Sequence, residues 1–150
     1  KGYMTVNNVE SNVILHEEAK KLAEEVAVTK VVKIIRSGQI MEAKGDLLLI
    51  GDVNPGATVK AGGNIFVLGT LRGKAQAGIY GNKECVVSAS VFKPSQIVIG
   101  DVLFNSFDYN EQDDHVMECA YLDQSGEMIF DRLQALCKVR PNLSFFEEGV

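Results

Sequence analysis

The chain is poor in the residues from which most catalytic and metal sites are assembled. Its two histidines, His16 and His115, lie far apart, which leaves a Ser-His-Asp or Cys-His arrangement without a local basis. The three cysteines, Cys85, Cys119 and Cys137, are odd in number and widely spaced, with no Cys-x-x-Cys. That pattern suits a reducing cytoplasm better than a disulfide framework. No apolar run approaches the ~20 residues of a membrane span, and no cleavable signal is read at the start. Aromatics make up only 7% of the residues, and the basic ones form no concentrated stripe, so a nucleic-acid surface is not expected. Asp113, Asp114, His115 and Cys119 are close in sequence. Such near neighbours are expected not to converge on one ion but to form a solvated acidic loop. No metal, no cofactor and no enzymatic activity are expected.

What the chain does have is a beat. Small residues recur every six positions at Gly45, Gly51, Ala57, Gly63, Gly69, Ala75 and Gly81. Two residues after each of the first six stands Leu47, Val53, Val59, Ile65, Leu71 or Ala77, and the register is lost at Lys83. A larger echo links Gly45-Asp46, Gly63-Asn64 and Gly81-Asn82. This periodicity predicts an all-β, triangular β-helix with rungs of about 18 residues, short strands as sides and tight corners between them. The inward aliphatics then form one continuous column, and the flat faces and corners are left for recognition.

Charge is unevenly divided. The chain carries a net charge of −5, but residues 31–100 hold eight Lys or Arg against four Asp or Glu, a local +4, which leaves −9 elsewhere. A mildly basic repeat with acidic flanks suits an acidic partner, although ordinary solvated surface charge gives the same pattern. Around the repeat, residues 1–30 read as a linker, with a short amphipathic helix over His16–Ala27. Val31–Ile35 reads as the first strand. Asn105–Asp114 reads as an acidic loop, and Asp123-Gln124-Ser125-Gly126 as a turn between the strands Val116–Leu122 and Glu127–Leu133. Residues 134–150 form an additional tail, in which Phe145-Phe146 is a candidate docking pair.

Three corners have unusual polar content: Arg36-Ser37-Gly38-Gln39, Asn54-Pro55-Gly56 and Arg72-Gly73-Lys74. The first displays a guanidinium, a hydroxyl and an amide around one glycine turn, donors and acceptors suited to gripping another protein. Gly69-x-x-x-Gly73-Lys74-Ala75 is not a phosphate loop, because it lacks a spacer residue and the Ser or Thr that would hold magnesium. A six-residue-repeat acyltransferase is the enzymatic rival. Its repeat wants a small residue after each inward aliphatic, and of Leu48, Asn54, Lys60, Phe66, Arg72 and Gly78 only the last is small. Leu48 and Phe66 instead form an apolar pair on one outward face, a candidate dimer face whose alternative cover is the linker helix or the closing segment.

The runs RSGQ (36–39), GDLLLIGDVNPGA (45–57) and AGGNIFVLGTLRGKAQAG (61–78), followed by GN (81–82), resemble the C-terminal domain of the bacterial cell-division inhibitor MinC. The resemblance covers roughly residues 31–104 and continues more loosely through AYLDQSGEMIFD (120–131). It implies a right-handed β-helix over 31–133, a homodimer, and a non-catalytic module that binds the ATPase MinD in its ATP-bound form. It also implies a cytoplasmic protein that MinD recruits to the inner face of the cell membrane. The family's motif assigns the MinD contact to Arg36, Ser37, Gly38, Gln39 and Gly56. A contact with the acidic tail of FtsZ falls on Arg72 and Lys74. The family's N-terminal inhibitory domain is not recognisable in residues 1–30, so the chain reads as a linker with the C-terminal domain. The rival from another class is a polymer-forming β-helix of the bactofilin type, against which the polar closing segment 105–133 argues.

Overall fold

A computed structural model describes residues 16–20, 22, 27–105, 107–109 and 112–144. Residues 16–20 and 22 are helical, within the expected linker helix. The readings for residues 1–15 and for Phe145-Phe146 lie outside the described residues.

From residue 28 onward the chain winds as a three-sided coil. One side is built from β1 (Val28–Val32), β3 (Asp46–Ile50), β5 (Ile65–Leu71) and β7 (Val87–Phe92), stacked in parallel. A second side holds β2 (Ile40–Ala43), β4 (Thr58–Ala61), β6 (Lys74–Ala77) and β8 (Gln96–Ile99), also parallel. The third side is reduced to single bridges that link Ile35, Val53 and Leu71. The first strand starts at Val28 rather than Val31, and Ile35 belongs to the third side, because Lys33 and Ile34 turn the chain between them.

Parallel strands place residues 18 apart on top of one another: Leu47 opposite Ile65, Ile40 opposite Thr58. The column follows directly. Leu47, Val53, Val59, Ile65, Leu71 and Ala77 are all fully buried, with Ile35, Leu49, Val67 and Ile97 beside them. Burial of each large aliphatic contributes roughly 1.5–3 kcal/mol. Polar side chains reinforce the stack at its corners. The Asp46 Oδ1 accepts from the backbone N–H of Asn64 at 2.8 Å and from its side-chain amide at 3.1 Å. The Asn64 Oδ1 in turn accepts from the Val86 N–H at 2.9 Å.

The six-residue beat fails earlier than the sequence suggests. Thr58 lies opposite Lys74, so Ala75 sits over Val59 and not over Ala57. The cause is the corner itself: four residues, 54–57, turn the second coil, whereas Arg72 and Gly73 alone turn the third. That short turn is possible because Gly73 has no side chain; a Cβ there would lie 2.3 Å from the Ala57 carbonyl oxygen. Ala75 and Ala77 both point inward as a result. The chain then regains length through residues 78–86 before β7 begins, and Lys74 pairs with Gln96. The echo at Gly81-Asn82 is therefore not a stacking position. Asn82 accepts from the Glu84 N–H at 2.9 Å and caps a local turn instead.

Antiparallel strands close the C-terminal end. β9 (Val102–Phe104) folds back on β8, β10 (Val116–Leu122) pairs with β7, and β11 (Met128–Arg132) pairs with β10. The expected turn between the last two is held by Asp123, whose Oδ1 accepts from the Ser125 hydroxyl at 2.6 Å and the Glu127 N–H at 2.9 Å. Those bonds, the Ser125 hydroxyl first, hold its carboxyl below the usual range. Beyond β11, helical turns over 133–143 lie across the outer side of the first sheet. Leu133, Leu136, Val139 and Leu143 pack there with Phe66 and Ile129 around buried Val86, Cys119 and Tyr121. Arg140 pins this tail, donating to the Leu122 carbonyl at 2.6 Å and the Glu84 carbonyl at 2.9 Å.

Leu49→Ala should cost ~2–5 kcal/mol, since it opens a cavity in the column. Leu103→Ala, on β9 away from that column and 54% exposed, should stay within about 0.5 kcal/mol. Urea denaturation of both variants measures the difference; equal costs would mean that the column is not the core.

Candidate partner-binding edge

The three polar corners of the sequence come together on one edge of the coil. Residues 36–39 are all exposed and stack on 54–57: the Gly38 N–H donates to the Gly56 carbonyl at 3.0 Å, and the Thr58 N–H to the Gln39 carbonyl at 3.0 Å. Within the first corner, the Arg36 N–H donates to the Gln39 Oε1 at 2.8 Å and the Gln39 N–H to the Arg36 carbonyl at 2.9 Å. The Gln39 side chain thus stiffens its own turn.

Gly38 and Gly56 share the same left-handed backbone, with φ of +84° at each. Their surroundings differ. A Cβ at Gly56 would lie 2.4 Å from the Ser37 Oγ, whereas a Cβ at Gly38 would meet nothing within 4 Å. Gly56 is required by the stacking beneath it, and Gly38 faces open space where another molecule's backbone can approach.

The third corner continues the same column. The Arg72 N–H donates to the Val53 carbonyl at 2.8 Å and the Lys74 N–H to the Ala57 carbonyl at 2.9 Å. A fourth corner, which sequence reasoning missed, follows at Lys93-Pro94-Ser95: the Lys93 N–H bonds to the Leu71 carbonyl and the Ser95 N–H to the Gly73 carbonyl. It could have been found by stepping one further rung from Arg72, had the insertion at 78–86 been recognised. At ~4.8 Å per rung, the corners of Arg36 and Arg72 stand roughly 10 Å apart. Arg36, Arg72, Lys74 and Lys93 make no ion pair among the described residues, so this edge presents uncompensated positive charge. Asp52 tempers it locally, lining a small cleft with Asn54, Thr70 and Arg72.

Leu48 and Phe66 are register partners on the outward side of the first sheet, as their spacing implies. Both are half-buried. The two are not equivalent, because Phe66 packs into the cluster under the C-terminal turns. Beside them runs a second outward row, Val32, Ile50 and Leu68, which are 76%, 38% and 54% exposed. This row also repeats every 18 residues and is the more open apolar ladder.

The acidic segment near residue 113 departs from its expected layout. Cys119 points into the molecule, while Asp113, His115 and Glu118 bring their side-chain ligand atoms within 4.8 Å of one another. Near neighbours converge here because His115 and Met117 adopt φ of +50° and +53°, which folds the segment tightly. His115 Nδ1 lies 2.6 Å from Glu118 and Nε2 3.6 Å from Asp113. An imidazole with a carboxylate at each nitrogen has both edges engaged, whereas one ion would use only one of them. Burial pushes the thiols of Cys85 and Cys119 up to about 11, so both are held protonated as small apolar groups.

A column of fully buried aliphatics, with exposed polar corners along one edge, defines a β-helical domain. A family model described as the septum formation inhibitor MinC, C-terminal domain, matches residues 29–133, and the chain belongs to that family. A probable septum site-determining protein MinC of Bacillus pumilus is 52% identical over 148 residues, covering 99% of this chain and 65% of the relative. The septum site-determining protein MinC of Bacillus subtilis is 51% identical over 145 residues, covering 97% of this chain and 64% of the relative. The chain thus spans less than two thirds of the length of these relatives. A chain of the MinC:MinD cell division protein complex of Aquifex aeolicus aligns with a TM-score of 0.62 at 33% identity, over 71% of this chain and 86% of that one. The family description is that of an inhibitor and names no reaction.

Proposed function

We propose that this chain is the partner-binding and dimerisation part of a septum-placement inhibitor, and that it binds ATP-bound MinD through Arg36, Ser37, Gly38, Gln39 and Gly56. In this reading residues 31–133 are the recognition domain, residues 1–30 a linker and residues 134–150 an added tail. Membrane recruitment is indirect, through MinD; no helix among the described residues is long and apolar enough to cross a membrane. The observation that carries the reading is the stacked corner, in which Gly38 opens to space while Gly56 is locked against Ser37. The Aquifex relative supports it, since its solved assembly is with MinD. A polymer-forming β-helix is disfavoured because β9, β10 and β11 close one end with antiparallel pairing.

A carboxylate at Gly38 adds bulk at a left-handed position and a charge where the partner approaches. Gly38→Asp should abolish capture by ATP-bound MinD in a pull-down while the far-ultraviolet circular dichroism stays unchanged. Unaltered capture would remove the 36–39 corner from the site.

The homodimer of this reading forms on the outward face around Leu48, Ile50 and Leu68, with Phe66 at its margin under the tail. Apolar contact of this kind resists salt. Sedimentation at micromolar concentration should give a dimer for the wild type and a monomer for Leu68→Glu, and a monomeric wild type would defeat the proposal.

Arg72 and Lys74 are assigned to the acidic tail of FtsZ. Both are exposed, so each pairing contributes only ~0–1 kcal/mol and fades with salt. A labelled tail peptide should bind weakly at low ionic strength, more weakly at high, and lose affinity to Arg72→Ala/Lys74→Ala. Equal affinity of both proteins would exclude the pair.

A further inference from the structure

The C-terminal cap holds a half-open pocket of about 220 Å³ that the proposed contacts leave unused. Phe104, Phe107, Phe130 and Tyr109 form its walls, and Asp108 and Glu118 stand at the same pocket. The rings meet at different angles: Phe104 and Phe130 at 61°, Phe107 and Phe130 at 73°, with Phe107 stacked on Tyr109 at 5°. Tyr109 is tied by its hydroxyl to the Pro94 carbonyl, which fixes one wall against the body.

We propose that this pocket receives the guanidinium of an arginine side chain from a partner polypeptide. Size comes first. The volume is below the ~300–1,000 Å³ of pockets that enclose drug-sized ligands, and suits a single side-chain head. Charge comes second. Residues 105–118 contain five Asp or Glu and no Lys or Arg. Arg132, the register partner of Glu118 on β11, makes no ion pair with it. His115 also lines the pocket and engages Glu118 at 2.6 Å and Asp113 at 3.6 Å, so Asp108, which makes no ion pair among the described residues, is the carboxylate open to a cation. Chemistry comes third, since a guanidinium is planar, weakly hydrated and able to stack on a ring while it bonds a carboxylate with two N–H groups. A lysine ammonium makes neither contact as well. The pocket lies apart from the 36–39 corner, so the inference stands whether or not that corner binds MinD.

The test uses the full chain and acetyl-Gly-Arg-Gly-amide, with the isosteric citrulline peptide as the neutral control. Ring-proton resonances of Phe107, Tyr109 and Phe130 should shift saturably with the arginine peptide, and at about tenfold higher concentration with citrulline. Asp108→Asn, at an exposed position, should weaken the arginine response several-fold with the fold unchanged, and Asp108→Asn/Glu118→Gln should remove it. No ring shift at millimolar peptide, equal responses to the two peptides, or an undiminished response in a folded double variant would each overturn the proposal.

Discussion

An inward side chain in this fold has one place to pack: on the residue that occupies the same side of the next coil. Parallel hydrogen bonding sets adjacent rungs ~4.8 Å apart, so the interior is a stack of layers only a few side chains wide. Leu47 lies opposite Ile65, and Val53 bridges to Leu71, because any other register would send apolar groups outward and bring polar ones in. The constraint falls on the sides of the coil and spares the corners. The corner after the third side shrinks to Arg72-Gly73, and the next opens into residues 78–86, while the layers above and below stay in place. Corners are thus where this chain can vary its length and its chemistry. The residues proposed to contact a partner stand there for that reason.

The same constraint explains what could be read from the sequence. Leu47, Val53, Val59, Ile65 and Leu71 announce themselves because stacked layers demand one residue type at one spacing, and all five are fully buried. The turn at Gly38 was legible because a polar corner of four residues with a central glycine has few other uses. Ala75 was misplaced because alanine serves both as a small corner residue and as an inward one. Only the three-dimensional shortness of the Arg72-Gly73 turn decides between them. Asn82 was misassigned for a similar reason, since a Gly-Asn pair suits a stacked rung and an isolated turn equally well. The convergence of His115 with Glu118 was not legible: it depends on left-handed backbone at His115 and Met117, and neither a histidine, which visits that region only occasionally, nor a methionine announces it. The same holds for the cover on Phe66, whose partners lie far along the chain.

The tail shows how the outward face is divided. Leu133, Leu136, Val139 and Leu143 lie over Val86, Cys119 and Tyr121, and Arg140 closes the arrangement with carbonyl bonds and a position 5.5 Å from the Tyr121 ring centroid. The family match stops at residue 133, whereas the Bacillus relatives align over nearly all of this chain. An apolar sheet surface that is covered at one end by its own chain and bare at the other, at Val32, Ile50 and Leu68, has its free area set by that cover. Phe66, half-buried at the boundary, belongs to both parts.

Charge imposes a second division on the same small body. The corner column carries Arg36, Arg72, Lys74 and Lys93 without ion pairs among the described residues, while residues 105–118 carry five acids and no Lys or Arg. The net charge of −5 conceals both. Opposite local fields steer different partners to different places, since like-charge juxtaposition is costly and complementary charge mainly fixes orientation and encounter rate. Yet the two regions touch: Tyr109, in the acidic segment, bonds the carbonyl of Pro94, which belongs to the last corner of the basic column. A molecule bound beside Pro94 and Tyr109 therefore lies within reach of both fields. At ionic strengths near 0.15 M the screening length is ~8 Å, so the two fields act together only on what is bound close to that border.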